Sequence, residues 1–559
     1  MRMQRGRWAG VVVAGLVATG VALGGARVAT QDRVSDRMRI YTAALAAVEA
    51  DYVEPVSEVC ASADACGSAA LVYDSIDGML RTLDPHSSFF SPKEFAQLRE
   101  RQEGRYFGIG ISIVRNPATG DVIVTQLFEG SPAYRAGIRR NDIIAGVGDE
   151  TADDWQTEDV VKRVKGPKGT TVNLKIRRPG LDSLIELTVE RDEVIMASVR
   201  AAFMVAPGTG YVRLQDFAET TNDELGAALD RLAGQGLERL VLDLRDNPGG
   251  PLDQAIAVSN RFLQRGDVIV STRGRVRNAD EVYKAARQGD RTDVPLVVLV
   301  NRQSASASEI VTGAMQDHDR GIVVGETTFG KALVQSVYPI ANGAGLALTT
   351  GRYYTPSGRM IQRPWDGAFD DYLLYAQRDQ EGVREHKPED LKLTDGQRQV
   401  YSGGGIEPDH FVAGPLDGFN PTAFSRMLRG RQVFVTFAER FTRDGDDRPG
   451  ARSAATHRVT PDWEVSDAML DEFREFLRSE PRIAIDEAAF ATDLTFIKAM
   501  IHYEVDLDLF GLEQARRAIS AVDPQLQAAL GYFPEAADML DQARLRRDAA
   551  VPARTSAAH

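Results

Sequence analysis

VNRQSASASEIVTGAMQDHDRGIVVGETTFGKALVQ, residues 300–335, alternates strand-like and helix-like runs within one short span. PLVVLVN (295–301) is an apolar, β-branched run that reads as a buried strand ending at Asn301. A helix then begins near Ser306, GIVVGE (321–326) is a second strand, and LVQSVY (333–338) is a third. Strand, helix and strand in this order specify an α/β layer with crossover helices. A serine at a helix start lies beside unpaired backbone N–H groups and the positive end of the helix dipole, and both favour a developing negative charge. The bland reading is that Ser306-Ala-Ser-Glu309 only ties down a helix end as a capping box. Gly325 to Lys331 also fits the phosphate-loop pattern. That pattern requires a hydroxyl residue and a helix next, whereas Ala332 and a strand follow, so a nucleotide site is set aside. G-x-S-x-G, S-x-x-K and H-E-x-x-H are all absent, and neither His86 nor His318 has a triad setting. A base for Ser306 is therefore not expected to be histidine.

The same alternation extends outward over 194–410. GYVRLQDF, RLVLDLRD and VIVSTRGR are strand-like, with NDELGAALDRLAGQG and LDQAIAVSNRFL as helices between them. Residues 104–193 differ: ISIVRNPATGDVIVTQLF predicts a hairpin, WQTEDVVKRVKG an amphipathic helix, and TTVNLKIRR with SLIELTVER a last strand pair. Residues 31–103 read as helical, as in IYTAALAAVEADYV and AALVYDSIDGMLRTL. Beyond 411 helical periodicity returns over 462–479, 485–503 and 510–547. RDGDDRPGARSAATHR (443–458) reads as a linker, and DAAVPARTSAAH at the end is expected to be disordered. At the start, Arg2, Arg5 and Arg7 precede an uncharged apolar run from Trp8 to Ala26. Residues 1–30 are thus a signal peptide or a membrane anchor, and either places the remainder in an exported, periplasmic or extracytoplasmic compartment. Export permits Cys60 and Cys66 to close a disulfide; two free thiols are the alternative, and zinc would need more ligands.

Several of these motifs together resemble the carboxyl-terminal processing (tail-specific) serine peptidases. SASASE, the helix, VVGE-x-T-FGK and the following glutamine stand in that family's order and spacing. LDLRDNPGG (242–250), YYTPSGRMIQ (353–362), GGGIEPD (403–409) and LDPHSSFFSPKEF (83–95) are further family-like segments. The resemblance implies Ser306 as nucleophile, Lys331 as general base and Gln335 as the residue orienting the lysine. It implies Gly250 and Ala307 as the two backbone donors to an oxyanion. Residues 104–193 resemble a PDZ domain, with Gly108, Ile109, Gly110 and Ile111 as the loop that binds a peptide's terminal carboxylate. The expected fold class is mixed α/β and α+β, with the PDZ module inserted in an α/β core related in shape to the crotonase fold. The added helices of 411–559 lie outside the resemblance.

A Ser–Lys dyad needs neutral lysine. A free lysine titrates near ~10.4, so bringing it to neutrality takes roughly 4–5 kcal/mol against the charged form, which burial supplies. The spacing of Lys331 and Gln335 is awkward for this scheme, since residues four apart on a strand are separated by ~13 Å. The 559 residues exceed a single core, and the net charge of −14 argues against nucleic acid as partner. Expected partners are proteins or peptides with free C-termini, an adaptor protein and a second copy of the chain, with no metal or organic cofactor. The competing readings are a non-catalytic PDZ scaffold and an acyl-thioester enzyme of crotonase-like fold.

Overall fold

The computed structural model describes residues 35–58, 60–62, 65–116, 119–179, 181, 183–276, 279–365, 372, 374–375, 386–414, 421–443, 459–480 and 483–550. The apolar run Trp8–Ala26 and the linker over 444–458 lie outside them. Among the described residues no helix is long and apolar enough to cross a membrane.

The chain divides into two compact units, 1–96 with 336–349 and 97–335 with 350–559. In the first, helices cover 35–51 and Ser68–Arg81, and the strand Ser88–Phe90 pairs antiparallel with Gly345–Ala347 over a small core of Leu80, Phe89 and Ala344. This region, read from sequence as helical, also contains a short antiparallel ribbon, Cys60–Ser62 with Ala65–Cys66. Cys60 stands opposite Cys66 in its register, and Cys66 is disulfide-bonded.

The second unit is built on a sheet in the order Val199–Ala206, Thr209–Leu214, Arg239–Asp243, Leu296–Val300, Ile322–Gly325 and His410–Phe411. The first pair is antiparallel and the rest are parallel. Parallel strands need crossovers, and helices Thr221–Ala233, Leu252–Asn260 and Ala307–Asp317 provide three of them. Their apolar stripes pack on one face through Leu225, Leu229, Val258, Val311 and Met315. A sheet buried on both faces carries continuous apolar strands, and LVVLV (296–300) is buried at every residue.

The opposite face is covered from the C-terminal end of the chain. Leu526, Ala529, Phe533 and Ala536, on helices Pro524–Gly531 and Phe533–Ala550, pack against Phe203, Tyr211, Val241, Val297, Leu299 and Val324. Residues 411–559 are therefore not one added region. A separate aromatic core around Phe434, Phe437, Phe473, Phe490 and Ile497 occupies 424–505, whereas the last two helices complete the sheet's second layer. The expected terminal disorder fails for 548–550, which continue the last helix.

The β-rich module has the sheet order Ile185–Glu190, Thr171–Arg177, Ile143–Val147, Val122–Leu127 and Ile111–Arg115, antiparallel throughout, with Thr157–Val164 as its amphipathic helix. Val160 and Val164 of that helix pack on Val124, Ile144, Leu174 and Ile176. The chain enters and leaves the module through paired strands, Arg105–Gly108 and Asp192–Ile195. Arg140 also ties it to helix Leu494–Leu509, through Glu504 at 2.5 Å and Asp508 at 3.0 Å.

Phe533 is 3% exposed on the sheet's second face. Phe533→Ala should lower the unfolding free energy by ~3–5 kcal/mol, as for other buried aromatic truncations. Denaturant titration followed on the protease sheet tests this; an unshifted transition there would mean that the last helix is a separate module.

Candidate active site

Strand Leu296–Val300 delivers the chain to the turn 301–305, and Ser306 caps the helix Ala307–Asp317. Ser306 has φ 56°, a left-handed conformation that costs energy for a non-glycine residue and is held only by its surroundings. The surroundings are specific. The Ser306 N–H donates to Glu309 Oε2 at 2.8 Å, which is the glutamate half of the capping box.

That carboxylate does more than cap. The Lys331 N–H donates to the same Oε2 at 2.9 Å, while Gly330 N–H (2.7 Å) and Thr328 Oγ (2.5 Å) donate to Oε1. The backbone nitrogens of Ser306 and Lys331 thus lie within 2.9 Å of a single oxygen. Glu309 is fully buried, and burial pushes its carboxyl up to about 7 against the opposing pull of these four donors. Tyr353 closes the arrangement from the other side. Its buried hydroxyl lies 2.5 Å from the Lys331 carbonyl and 3.2 Å from that of Ser306, and burial holds the phenol well above its usual range.

The lysine loop is fixed from below by the glycine-rich segment at 403–405. Thr328 Oγ accepts from the Ile406 N–H at 2.7 Å, and Arg363 donates to the carbonyls of Phe329 and Gly404. A Cβ at Gly405 would lie 2.2 Å from the Thr328 carbonyl, so glycine is required there.

The expected difficulty with Gln335 does not arise. Residues 329–332 are not strand, the strand begins at Leu333, and the bent backbone lets Lys331 Nζ reach Gln335 Oε1 at 3.2 Å. Ser306, Lys331 and Gln335 are all half-buried.

The loop after strand Arg239–Asp243 approaches Ser306. Gly249 (φ 94°) packs so closely that a Cβ would sit 2.7 Å from the Ala307 nitrogen and 2.8 Å from Ser306 Cβ. The Gly249 N–H is spent on Asn247 Oδ1 at 2.9 Å. Gly250 is exposed, and among the described residues neither its N–H nor that of Ala307 donates to a backbone carbonyl. Sequence reading named Gly250 and Ala307 as expected donors and missed the close packing of Gly249, the contacts of Tyr353 and the wider bonding of Glu309, each of which joins segments distant in the chain.

A cavity of about 310 Å³ lies in the β-rich module between the edge strand Ile111–Arg115 and helix Thr157–Val164. Ile109, Gly110 and Ile111 line it with Tyr106, Phe128, Val161 and Lys165. Gly108, expected in the same loop, instead ends the entry strand opposite Asp192 and does not line the cavity. Gly110 has φ 83°, and a Cβ there would strike Ser131 at 2.2 Å. Tyr106 at the floor is pushed up to about 12 by burial and the nearby Glu100, so it stays a neutral phenol.

Comparison with known proteins identifies two families in the chain. The family model of Peptidase family S41 matches residues 208–372, and that of the PDZ domain matches 97–177. A carboxy-terminal-processing protease of Bartonella bacilliformis is 39% identical over 379 residues, covering 66% of this chain and 85% of that protein. A carboxyl-terminal-processing protease of Picosynechococcus is 38% identical over 287 residues, 51% of this chain and 69% of that protein. Among solved structures, a photosystem II D1 C-terminal processing protease is 34% identical, with TM-score 0.30 over 52% of this chain and 78% of that one.

Glu309→Gln turns one acceptor oxygen into a donor facing N–H or O–H groups. It should lower kcat by about tenfold or more, the cost of one or two buried unsatisfied donors. The carboxyl's value is raised in the folded state from an ordinary 4.5 to about 7. Its contribution to stability is therefore full below about 4.5 and is lost as pH rises through about 7. Urea titrations between pH 4.5 and 8 should show this decline in the parent and not in Glu309→Gln.

Proposed function

Because the chain belongs to peptidase family S41, within the carboxyl-terminal processing serine proteases that carry a PDZ domain, we propose that Ser306 is its nucleophile and Lys331 its general base. The observation that carries this reading is the shared carboxylate of Glu309, which holds the two residues' backbones together. Neutral Lys331 takes the Ser306 Oγ proton as Oγ attacks the scissile carbonyl carbon. The tetrahedral oxyanion accepts from the Gly250 and Ala307 N–H groups, the second reinforced by the dipole of helix Ala307–Asp317. Collapse breaks the C–N bond, and the lysine ammonium returns its proton to the departing amine. Water, deprotonated by the same lysine, then releases the acyl group. Gln335 accepts from Lys331 Nζ and fixes its direction.

The substrate's free C-terminus enters the PDZ groove. Its terminal carboxylate meets the backbone around Ile109–Ile111, and its last residues add as a strand to Ile111–Arg115. The lining by Ile109, Phe128, Val161 and Val164 selects an apolar last side chain. Basic residues before the apolar N-terminal run support an extracytoplasmic setting for this chemistry. A scaffold without catalysis would need no Lys331 on the nucleophile's own anchor.

A disordered peptide ending in apolar residues is the first substrate to offer, as free acid and as C-terminal amide. The parent should cleave the acid faster, and the rate should rise with pH as a lysine base requires. Folded Ser306→Ala and Lys331→Ala should each lose at least ~10³-fold in kcat. Cleavage retained by Ser306→Ala would overturn the assignment.

A further inference from the structure

The loop that presents Gly250 is anchored from beyond the family-matched region. Arg245, at the middle of the 242–250 segment, is 8% exposed. Its Nε and Nη2 donate to the two oxygens of Asp243 at 3.0 and 2.7 Å. Its remaining donors turn to the C-terminal helices: Nη1 to Asp523 Oδ1 (3.1 Å) and Gln525 Oε1 (2.9 Å), and Nη2 to Asp523 Oδ2 (2.7 Å). A guanidinium has five N–H hydrogens in a rigid fork, and here five acceptors meet them. Gln525 is itself buried, and its amide donates to the Val412 carbonyl at 2.8 Å.

Arg245 is in turn bonded into the loop. Its carbonyl accepts from Arg213, and the Leu244 carbonyl accepts from Ser304 Oγ at 2.8 Å. The Asn247 carbonyl accepts from the Ala305 N–H at 3.0 Å and Ser308 Oγ at 3.0 Å, on either side of the nucleophile. The direction of the Gly250 N–H thus depends on where Arg245 is held.

We propose that Asp523 and Gln525 are positioning residues for the peptidase reaction, acting through Arg245 to set the oxyanion loop. This rests on the peptidase reading above. The helices that follow residue 522 are then part of the catalytic apparatus and not an appended cap. Without Asp523, Arg213 and Arg245 both crowd the single buried carboxylate of Asp243.

The test uses the full chain with Asp523→Asn and Gln525→Met. Asparagine keeps the N-cap that Asp523 gives to helix Pro524–Gly531, so the helix start survives. Five quantities are measured: kcat and KM on the peptide, melting temperature, the affinity of a peptide aldehyde, and peptide binding in a Ser306→Ala background. An aldehyde adds to the serine as a hemiacetal and so reports on the oxyanion site. The expected result is a kcat loss of roughly 10–100-fold with KM and peptide binding unchanged, and aldehyde affinity falling by the same factor. Asp523→Glu should recover part of it. Unchanged kcat in both variants, or a loss that follows the melting temperature while aldehyde affinity stays constant, overturns the proposal. A parent chain that neither cleaves nor is labelled at Ser306 overturns the peptidase reading, and the proposal falls with it.

Discussion

A single buried carboxylate, that of Glu309, gathers the parts of this site. It accepts from the amide of Ser306, from two amides of the lysine loop, and from Thr328. Four donors on one carboxylate offset much of the cost of its burial, and they come from segments far apart in the chain. Ser306 is kept at positive φ, the lysine loop is kept off the strand, and the glycines at 403–405 are needed so that a third segment can approach Thr328. Tyr353 then bonds toward the carbonyls on the far side of both backbones. The site is assembled from backbone contacts, and its reactive side chains are left half-exposed to substrate.

The sheet beneath it explains why this assembly is rigid. Parallel strands end together, and Leu296–Val300, Arg239–Asp243 and Ile322–Gly325 bring the Ser306 turn, the Gly249–Gly250 loop and the Lys331 loop to one edge. Such a sheet must be covered on both faces. The crossover helices cover one, and helices from the end of the chain cover the other. Completion of the protease core thus waits for residues more than two hundred positions after Ser306.

The PDZ module is held differently. It joins the core through a two-stranded ribbon and meets the C-terminal helices at Arg140, whose guanidinium lies between Glu504 and Asp508. Its groove is formed by the module's own edge strand and helix together with residues before the entry strand, including Glu100, which pairs with Lys165. Recognition of a chain end and cleavage of a peptide bond therefore reside on two cores with their own packing.

Residue order alone determined the α/β alternation, the helix start at Ser306, the hairpins and helix of the PDZ module, and the motifs that carry Ser306, Lys331, Gly250 and Ala307. These are local properties: hydrophobic period, turn chemistry and spacing survive in a string. The string also showed that Gln335 lies four residues from Lys331, but not that Nζ and Oε1 meet at 3.2 Å, because the backbone at 330 and 331, off the strand, is bonded to Glu309 from elsewhere in the chain. Glu309 was legible as a helix cap and not as the anchor of the lysine loop. Helical periodicity after 510 was plain, yet which face of which sheet it covers was not. Gly108 fitted a motif and was taken by the entry ribbon. In each case the deciding contact joins segments far apart in sequence, and a pairing between distant segments is fixed only when the chain closes on itself and buries them together.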